Sequence, residues 1–287
     1  MKKIVFSVFI LFFLAFSAFC SGNLELVNNQ VIELDNINDI KILYSSEKVS
    51  IFMGTADTLI IKEYMSENNS EYFADINVKG NILTVEKGKR PVWPLVNFFN
   101  RRLEIYLPVS YSNNINVKTS SGSIDTADLF CSKITIESSS GKILVNSITA
   151  ETINIKSSSG RIEAGSVNGN ISAETSSGNI ELKKVTGSLN AKTSSGSISC
   201  TIIESAGNIS LNTSSGAVRL NLPQSLNFNF SSRTSSGRLT TPFSDRLSSP
   251  VTDRNLSQGI IGGSNGLINI PSIDIKTSSG SIRIEWI

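Results

Sequence analysis

The chain has 287 residues, of which 39% are hydrophobic and 17% are charged, so it can form one extended domain or two ordinary ones. It carries 26 basic and 24 acidic residues, and removal of Lys2 and Lys3 with an N-terminal segment would leave a neutral chain. Neutrality argues against a nucleic-acid partner, which normally requires a basic face. The sequence has no histidine, which removes the most common general base and zinc ligand.

The N-terminus has the pattern of a secretory signal peptide. Lys2 and Lys3 precede an apolar run over residues 4–19, and polar residues follow. The run is too short and too close to the terminus to favour a permanent membrane span. We therefore predict a signal peptide at residues 1–20 with cleavage at 20–22, and an extracytoplasmic protein in the periplasm, at the cell surface or secreted.

Cys20 leaves a second form of attachment open. It ends the apolar run and is followed by Ser21, as the acylated cysteine of a bacterial lipoprotein would be. Phe19 and Ser17 depart from the residues expected before such a cysteine. A membrane contact is therefore expected only through a possible lipid anchor at Cys20.

A less regular N-terminal β cap, with the first irregular coils, is predicted over residues 23–110. Such a cap is needed because the open end of a stack of strands is an unpaired edge. The basic residues at 87–90 and the pair Arg101 and Arg102 are expected to be solvated loop charges. The aromatic loop at 88–99 is expected to fold over the end of the core, with an exposed contact patch as the alternative. Strand-like alternation of apolar and polar residues occurs at 41–44, 49–53, 58–64, 75–78, 82–85 and 102–107.

The remainder, residues 111–287, is organised around a corner tetrapeptide, Ser or Thr followed by Ser-Ser-Gly, which occurs eight times. Successive corner glycines are separated by 19, 19, 18, 18, 20, 21 and 43 residues. A fixed period of this length is typical of stacked repeats that bury a shared core. The corner glycines are Gly122, Gly141, Gly160, Gly178, Gly196, Gly216, Gly237 and Gly280.

Apolar residues recur at fixed distances from each corner glycine. They lie two and four positions after it, as Ile143 and Val145 do, and seven and five positions before it, as Ile153 and Ile155 do. This alternation predicts two short strands per repeat and excludes helices, whose apolar residues recur at three and four. An apolar pin between the two strands is predicted seven residues after the glycine, at Leu129, Ile148, Val167, Val185 and Ile203.

These patterns predict an all-β protein, a parallel β-solenoid of about 18–21 residues per coil with successive corners stacked above one another. Residues 23–287 would form one continuous domain. The interval of 43 residues predicts one degenerate coil with a loop excursion at 242–266, and Trp286 is expected to cover the last apolar layer. We expect each corner glycine to supply a positive φ. The stacked hydroxyls form either a structural ladder or a flat ligand-binding strip.

The repeats resemble the bacterial putative-adhesin family, a β-strand repeat domain of unknown function that is similar in style to auto-transporter adhesin head domains. The resemblance rests on the Thr-Ser-Ser-Gly-x-Ile repeats, the strand ending in Leu-Pro at 103–108, and Gly-Ile-Ile-Gly-Gly at 259–263. It implies a right-handed, extracytoplasmic parallel β-solenoid with an adhesive or envelope-associated role and no assigned catalytic residues.

No catalytic, cofactor-binding or metal-binding residue is predicted, and no cofactor. Sugar-cleaving β-helix enzymes are the enzymatic alternative, because Glu163 and Glu181 lie one coil apart at the same offset and such enzymes use paired carboxylates. The competing interpretation is a pair of solvated face charges. Cys131 and Cys200 are expected to be buried free thiols, since four coils would separate them.

The hypothesis that follows is an exported non-enzymatic scaffold or adhesin. It would present a repetitive polar face to an unknown surface or envelope macromolecule, a protein or a glycan, and no nucleic acid. One alternative is a polysaccharide-active β-helix enzyme with a shallow acidic groove. Another is an envelope-stress or regulatory component that binds a membrane partner.

Overall fold

The computed structural model describes residues 24–91, 99–204, 207–248, 255–262 and 270–287. The predicted signal peptide, Cys20 and most of the aromatic loop lie outside these residues, as do parts of the predicted excursion. The described residues form twenty strands joined in one sheet and two short 3-10 helices. The strands are β1 (Glu25–Ile32), β2 (Asp39–Leu43), β3 (Lys48–Gly54), β4 (Leu59–Met65), β5 (Asp75–Lys79), β6 (Ile82–Glu86), β7 (Arg101–Pro108), β8 (Asn114–Thr119), β9 (Ile124–Ser138), β10 (Ile143–Ser157), β11 (Ile162–Thr175), β12 (Ile180–Thr193), β13 (Ile198–Glu204), β14 (Ile209–Asn212), β15 (Val218–Leu222), β16 (Phe228–Thr234), β17 (Leu239–Thr240), β18 (Leu256–Ile261), β19 (Ser272–Thr277) and β20 (Ile282–Trp286). The 3-10 helices are Ser70–Tyr72 and Ser244–Arg246.

The all-β prediction is confirmed, and the predicted alternation decides which side chains face inward. One turn of the chain around the stack is called a level here, and each corner level is named by its glycine. Strands β9, β10, β11 and β12 pair in parallel along their length, one level per strand, with equivalent residues opposite one another. Ile143, for example, lies between Ile124 and Ile162, and all three are fully buried. Most of the hydrophobic core is the column that these inward residues form.

The apolar pins also stack, with one correction. Leu129, Ile148, Val167 and Val185 are buried as predicted, but Ile203 is 46% exposed and Ile202 takes the pin position opposite Val185. Strand β12 has two residues between Leu182 and Val185, whereas β13 has one between Cys200 and Ile202. This register shift brings the fifth pin one residue early.

The last level of the sequence is not the last level of the stack. Strands β19 and β20 pair in parallel with β14 and β15 on one side and with β16 and β17 on the other. The Gly280 level therefore lies between the Gly216 and Gly237 levels, although both of these precede it in the sequence. The expectation that successive corners lie above one another fails at this step.

The N-terminal end repeats this arrangement. Strands β2 and β3 pair in parallel with β8 and β9 above them and with β6 and β7 below them. The first coil of the described chain is thus inserted one level inside the end, as the last coil is at the opposite end.

Antiparallel strands close both ends of the stack. Strand β5 pairs with β6, β4 pairs with β7, and β1 adds to β4, while β18 pairs with β16 at the other end. Phe228, Phe230, Phe243 and Trp286 cluster at the C-terminal end with ring centroids 5.2–6.5 Å apart. Trp286 covers the apolar layer there as part of this cluster, although its strand is not the outermost one.

Candidate binding face

The first hydroxyl of each corner tetrapeptide is part of a ladder that is buried at six of the eight corners and partly buried at Ser157 and Thr234. At the Gly196 level, the N–H of Gly196 donates to Thr193 Oγ1 at 3.1 Å, and this hydroxyl donates to the carbonyl of Gly178 at 3.1 Å. Thr213 and Thr277 form the same two contacts at their own levels. The hydroxyl both accepts and donates inside the protein, so this position is structural.

The corner glycines are required by close packing between levels. A Cβ on Gly178 would lie 2.0 Å from the carbonyl oxygen of Gly160, and the other corners have the same approach at 1.8–2.0 Å. All eight corner glycines are described, and none of them has a positive φ. The expected left-handed conformation is therefore wrong, and the missing side chain rather than the φ angle explains the residue.

The second and third serines of the corner form two parallel rows of exposed side chains. Their backbone groups are occupied, because the N–H groups of Ser176 and Ser177 both donate to the carbonyl of Ser158 at 3.0 Å, and other levels repeat this pattern. Within the described chain, the side-chain hydroxyls of these rows form no protein hydrogen bond. The rows consist of Ser120 and Ser121, Ser139 and Ser140, Ser158 and Ser159, Ser176 and Ser177, Ser194 and Ser195, Ser214 and Ser215, Ser278 and Ser279, and Ser235 and Ser236.

A ladder of alternating charge runs beside the serine rows, one residue before each tetrapeptide. On five consecutive levels the residues directly opposite one another are Lys118, Glu137, Lys156, Glu174 and Lys192. The Nζ atom of Lys118 lies 3.3 Å from Oε2 of Glu137, and the Nζ atom of Lys156 lies 3.7 Å from Oε2 of Glu174. A shallow groove of about 470 Å³ lies between this charge ladder and the row of second serines.

Sequence reasoning missed the charge ladder, although its signal was present. Each of its members lies four residues before a corner glycine, and the sign of the charge alternates from repeat to repeat.

At the N-terminal end, basic side chains cover an additional corner that lacks glycine. Ser45 and Ser46 occupy the positions of the second and third serines below the Gly122 level, and buried Glu47 takes the place of the glycine. Lys87 Nζ donates to Ser45 Oγ, and Arg90 Nη2 donates to Ser46 Oγ at 2.5 Å and to Glu47 Oε1 at 2.6 Å. Arg90 is partly buried against Glu47 and is therefore not the solvated loop charge that the sequence indicated, whereas Lys87 and Lys89 are exposed.

Arg101 was also predicted to be a solvated loop charge, and its burial shows that this prediction is wrong. Its side chain is 5% exposed, and Arg101 Nη2 donates to the carbonyl of Lys89 at 3.0 Å. Arg102 lies on the outer side of the same strand and pairs with Glu104 at 3.2 Å.

The Glu47 carboxylate is held in its ionised form. Burial opposes ionisation, but the hydrogen bonds from Arg90 and from the N–H groups of Ser45 and Ser46, together with the positive charge of Arg90, lower its pKa to about 2. The corner below the first level of the serine rows is therefore closed by an ionic contact within the chain.

Glu163 and Glu181 lie opposite each other, as the enzymatic alternative requires, but basic side chains surround them. The Nζ atom of Lys142 lies 3.0 Å from Oε2 of Glu163, and the Nζ atom of Lys183 lies 3.2 Å from its Oε1. Arg161 forms an ion pair with Glu181, which lies opposite Glu163. Hydrogen bonds from Lys142 and Lys183 lower the pKa of Glu163. A general acid in glycoside hydrolysis needs a raised pKa. The arrangement is that of charges paired on a surface.

Three further features bear on the function: the two cysteines, possible metal ligands and possible membrane spans. Cys131 and Cys200 are buried free thiols, and burial raises their pKa values to about 11 and about 12, so neither has the character of a reactive thiolate. Among the described residues there is no cluster of three or more potential metal ligands. That part of the chain also contains no helix with the length and apolarity of a membrane span.

The family model described as Toastrack DUF4097 matches residues 37–285, which is most of the chain. The chain belongs to the Toastrack DUF4097 family. This confirms the resemblance at the level of a domain of unknown function. No curated protein matches the chain.

The chain is also similar to solved structures. A protein described as a putative adhesin from Parabacteroides merdae is 14% identical, with 93% of this chain and 97% of that chain covered and a TM-score of 0.54. A protein from Parabacteroides distasonis described as a putative lipid binding protein is 16% identical, with 92% and 97% covered and a TM-score of 0.44. A putative adhesin from Bacteroides fragilis is 14% identical, with 91% and 96% covered and a TM-score of 0.41. At these identities the likeness concerns the fold alone.

Proposed function

We propose that this protein is an exported, non-enzymatic adhesin or envelope-binding scaffold, built as a right-handed β-solenoid. The observation that carries the proposal is the double row of serine hydroxyls, exposed at eight levels and without protein partners in the described chain. A structural ladder needs only one hydroxyl per corner, and the buried first position already supplies it. The exposed second and third hydroxyls are therefore available to a ligand.

Repetition explains how such a face would bind. A single serine hydroxyl contributes a weak contact in water, because it exchanges one hydrogen bond for another. Eight levels at about 4.8 Å would repeat that contact along a polymer, and each contact after the first becomes intramolecular. The natural ligand is therefore an extended macromolecule of the cell surface or envelope rather than a small molecule.

Location and attachment belong to the same proposal. The description of the P. merdae protein as a putative adhesin supports an extracytoplasmic site for this chain too. The apolar segment at residues 4–19 would direct export, and Cys20 would serve as a lipid anchor if it is retained.

Binding to isolated envelopes of the producing bacterium tests the proposal. In the test variant Ser158, Ser159, Ser176 and Ser177 are changed to Ala, which removes four exposed hydroxyls from two central levels. We expect at least about a tenfold loss of envelope binding in a sedimentation assay, because polyvalent binding falls steeply when central contacts are removed.

The matched control changes Glu151, Asn168, Lys184 and Asn190 to Ala, all exposed and away from the corners. It also removes four side chains and leaves the net charge unchanged, so its binding should equal that of the wild type. Equal binding by the serine variant and the wild type would refute the serine rows as the binding face.

A further inference from the structure

The charge ladder has a regular period along the axis of the stack. Neighbouring levels carry opposite charges and every second level carries the same charge, from Lys118 to Lys192. With levels about 4.8 Å apart, like charges lie about 9.6 Å apart. Opposite charges are closer than the Debye length of about 8 Å at physiological ionic strength, so they largely cancel at a distance and the individual charges act mainly at contact.

The charged side chains of the ladder remain exposed to solvent, so they are accessible to a ligand. Lys118 and Lys156 are 62% and 50% exposed at the side chain, and exposed ion pairs at such distances contribute little stability. They line one wall of the 470 Å³ groove, and the row of second serines lines the other. A ligand in the groove would meet an acidic and a basic group in alternation and a serine hydroxyl at every level.

The equivalent serines one level below the rows show which groups dock on such hydroxyls. At the N-terminal end, the amine of Lys87 and the guanidinium of Arg90 donate to the hydroxyls of Ser45 and Ser46. A carboxylate, Glu47, stabilises Arg90 from the adjacent position. Amino groups therefore fit the serine rows when a carboxylate is nearby, as Glu137 and Glu174 are in the groove.

Other features select a glycan over a peptide. The serine N–H groups at the corner already donate to carbonyls of the next level, so the floor of the groove cannot add a peptide as an extra strand. Polar and charged side chains line the groove, with no hydrophobic pocket for alternate side chains of an extended peptide. A polymer rich in hydroxyl, amino and carboxylate groups fits this lining.

We propose that the groove binds a linear zwitterionic glycan that carries both amino and carboxylate groups along one chain. The carboxylates would pair with Lys118, Lys156 and Lys192, and the amino groups with Glu137, Glu174 and the serine hydroxyls. This inference rests on the proposed function, because it assigns a ligand class to the same face.

Four polymers of matched length that share a β-1,4-linked backbone test the preference against the full-length protein. Carboxymethyl chitosan carries both charges, chitosan only amines, carboxymethyl cellulose only carboxylates, and hydroxyethyl cellulose neither. We expect carboxymethyl chitosan to bind about tenfold or more tightly than each of the others at physiological salt, with the preference fading as salt increases. Equal or tighter binding of any single-charge or neutral polymer overturns the proposal.

A change of ladder charge should redirect this preference. With Glu137→Lys and Glu174→Lys, all five ladder residues are basic, so the preferred polymer should become carboxymethyl cellulose. The control variant, Glu151→Lys and Glu204→Lys, adds the same charge at exposed positions away from the groove and should still prefer carboxymethyl chitosan. An unchanged preference in the ladder variant, or the same switch in the control, contradicts the assignment to the groove.

The envelope assay separates this inference from the proposed function. If the four-serine variant loses envelope binding while no polymer is preferred, the zwitterionic glycan is wrong and the serine face stands. If the serine variant retains envelope binding, the proposed function itself fails.

Discussion

At the residue scale, two solutions to the same corner can be compared. Gly122 and the other corner glycines have no room for a Cβ, because the carbonyl of the next level lies in its place. Glu47 occupies the equivalent position one level below Gly122, at the last serine corner before the N-terminal end. No further serine corner covers this level, and the side chains of Lys87 and Arg90 contact it instead. The repeat thus ends with a buried carboxylate and an ion pair instead of another glycine.

Glu47 should make stability depend on pH in a defined window. Its folded pKa of about 2 is below its ordinary value of 4.5, so its ionised form stabilises the fold above pH 4.5, and this contribution is lost as the pH falls toward 2. The shift corresponds to about 3 kcal/mol. Glu47→Gln should therefore lower the free energy of unfolding at pH 7 by up to about 3 kcal/mol, measured by urea denaturation, with a difference that vanishes near pH 2.

The exposed Glu151 provides the control for this measurement. Glu151→Gln should leave the free energy of unfolding within about 0.5 kcal/mol of the wild type at both pH values. A Glu47→Gln difference that stays constant between pH 7 and pH 2 would show that the carboxylate charge is not the source of the effect.

At the element scale, the strand order differs from the sequence order at both ends. The first and last coils are each inserted between two levels that are formed by other parts of the chain. Antiparallel strands then cover the outermost levels. Both chain-terminal coils consequently have a paired strand on each side, and the unpaired edges are left to the cap strands.

Engineered disulfides test the inserted last coil. The Gly280 level is adjacent to the Gly216 and Gly237 levels, so Ser215→Cys with Ser279→Cys should cross-link on oxidation, as should Ser236→Cys with Ser279→Cys. Adjacent levels place the Cα atoms about 5 Å apart, within the range for a disulfide. Ser215→Cys with Ser236→Cys spans two levels, about 10 Å, and should stay reduced.

Mass spectrometry of the oxidised, non-reduced proteins reads out these bonds. The buried Cys131 and Cys200 are present in every variant and provide a common background. A bond between residues 215 and 236, with none between 215 and 279, would mean that the corners follow sequence order.

The sequence predicts the inward residues well, because each level obeys the same alternation. The two short strands expected per repeat are wrong for β9–β12, where each level is one strand of 14 or 15 residues. Inward residues such as Ile143 and Ile153 are buried as predicted, and strands β2–β7 fall within two residues of the predicted bounds, whereas β1 was not predicted. The insertion of Ile273 and Ile275 between other levels was not predictable, since every level presents a similar apolar pair and no local signal selects its neighbours.

The sequence also did not predict the exact pin residue or the contacts of two arginines, because each depends on residues outside its own repeat or strand. The pin at Ile202 depends on one extra residue in the neighbouring strand, so it cannot be read from its own repeat. The burial of Arg101 and the contacts of Arg90 depend on partners that are distant in sequence. In the candidate binding face, a ligand-binding strip of serines was one of two alternatives predicted from the sequence. The charge ladder was not predicted, because its pattern is visible only when one repeat is compared with the next.

At the scale of the whole molecule, the serine rows and the charge ladder are continuous surfaces only if the corners form a single straight file. In spatial order, the levels from Gly122 are Gly141, Gly160, Gly178, Gly196, Gly216, Gly280 and Gly237. A scattered arrangement would destroy both the multivalent face and the groove.

Distances between spin labels along this file test the statement most directly. With one label at Ser121 and the second at Ser195, Ser279 or Ser236, the labelled levels are four, six and seven apart. Pulsed electron paramagnetic resonance should give distances that increase in that order, about 19, 29 and 34 Å. Distances that do not grow with level number, or a Ser236 label closer to Ser121 than the Ser279 label is, would contradict the account.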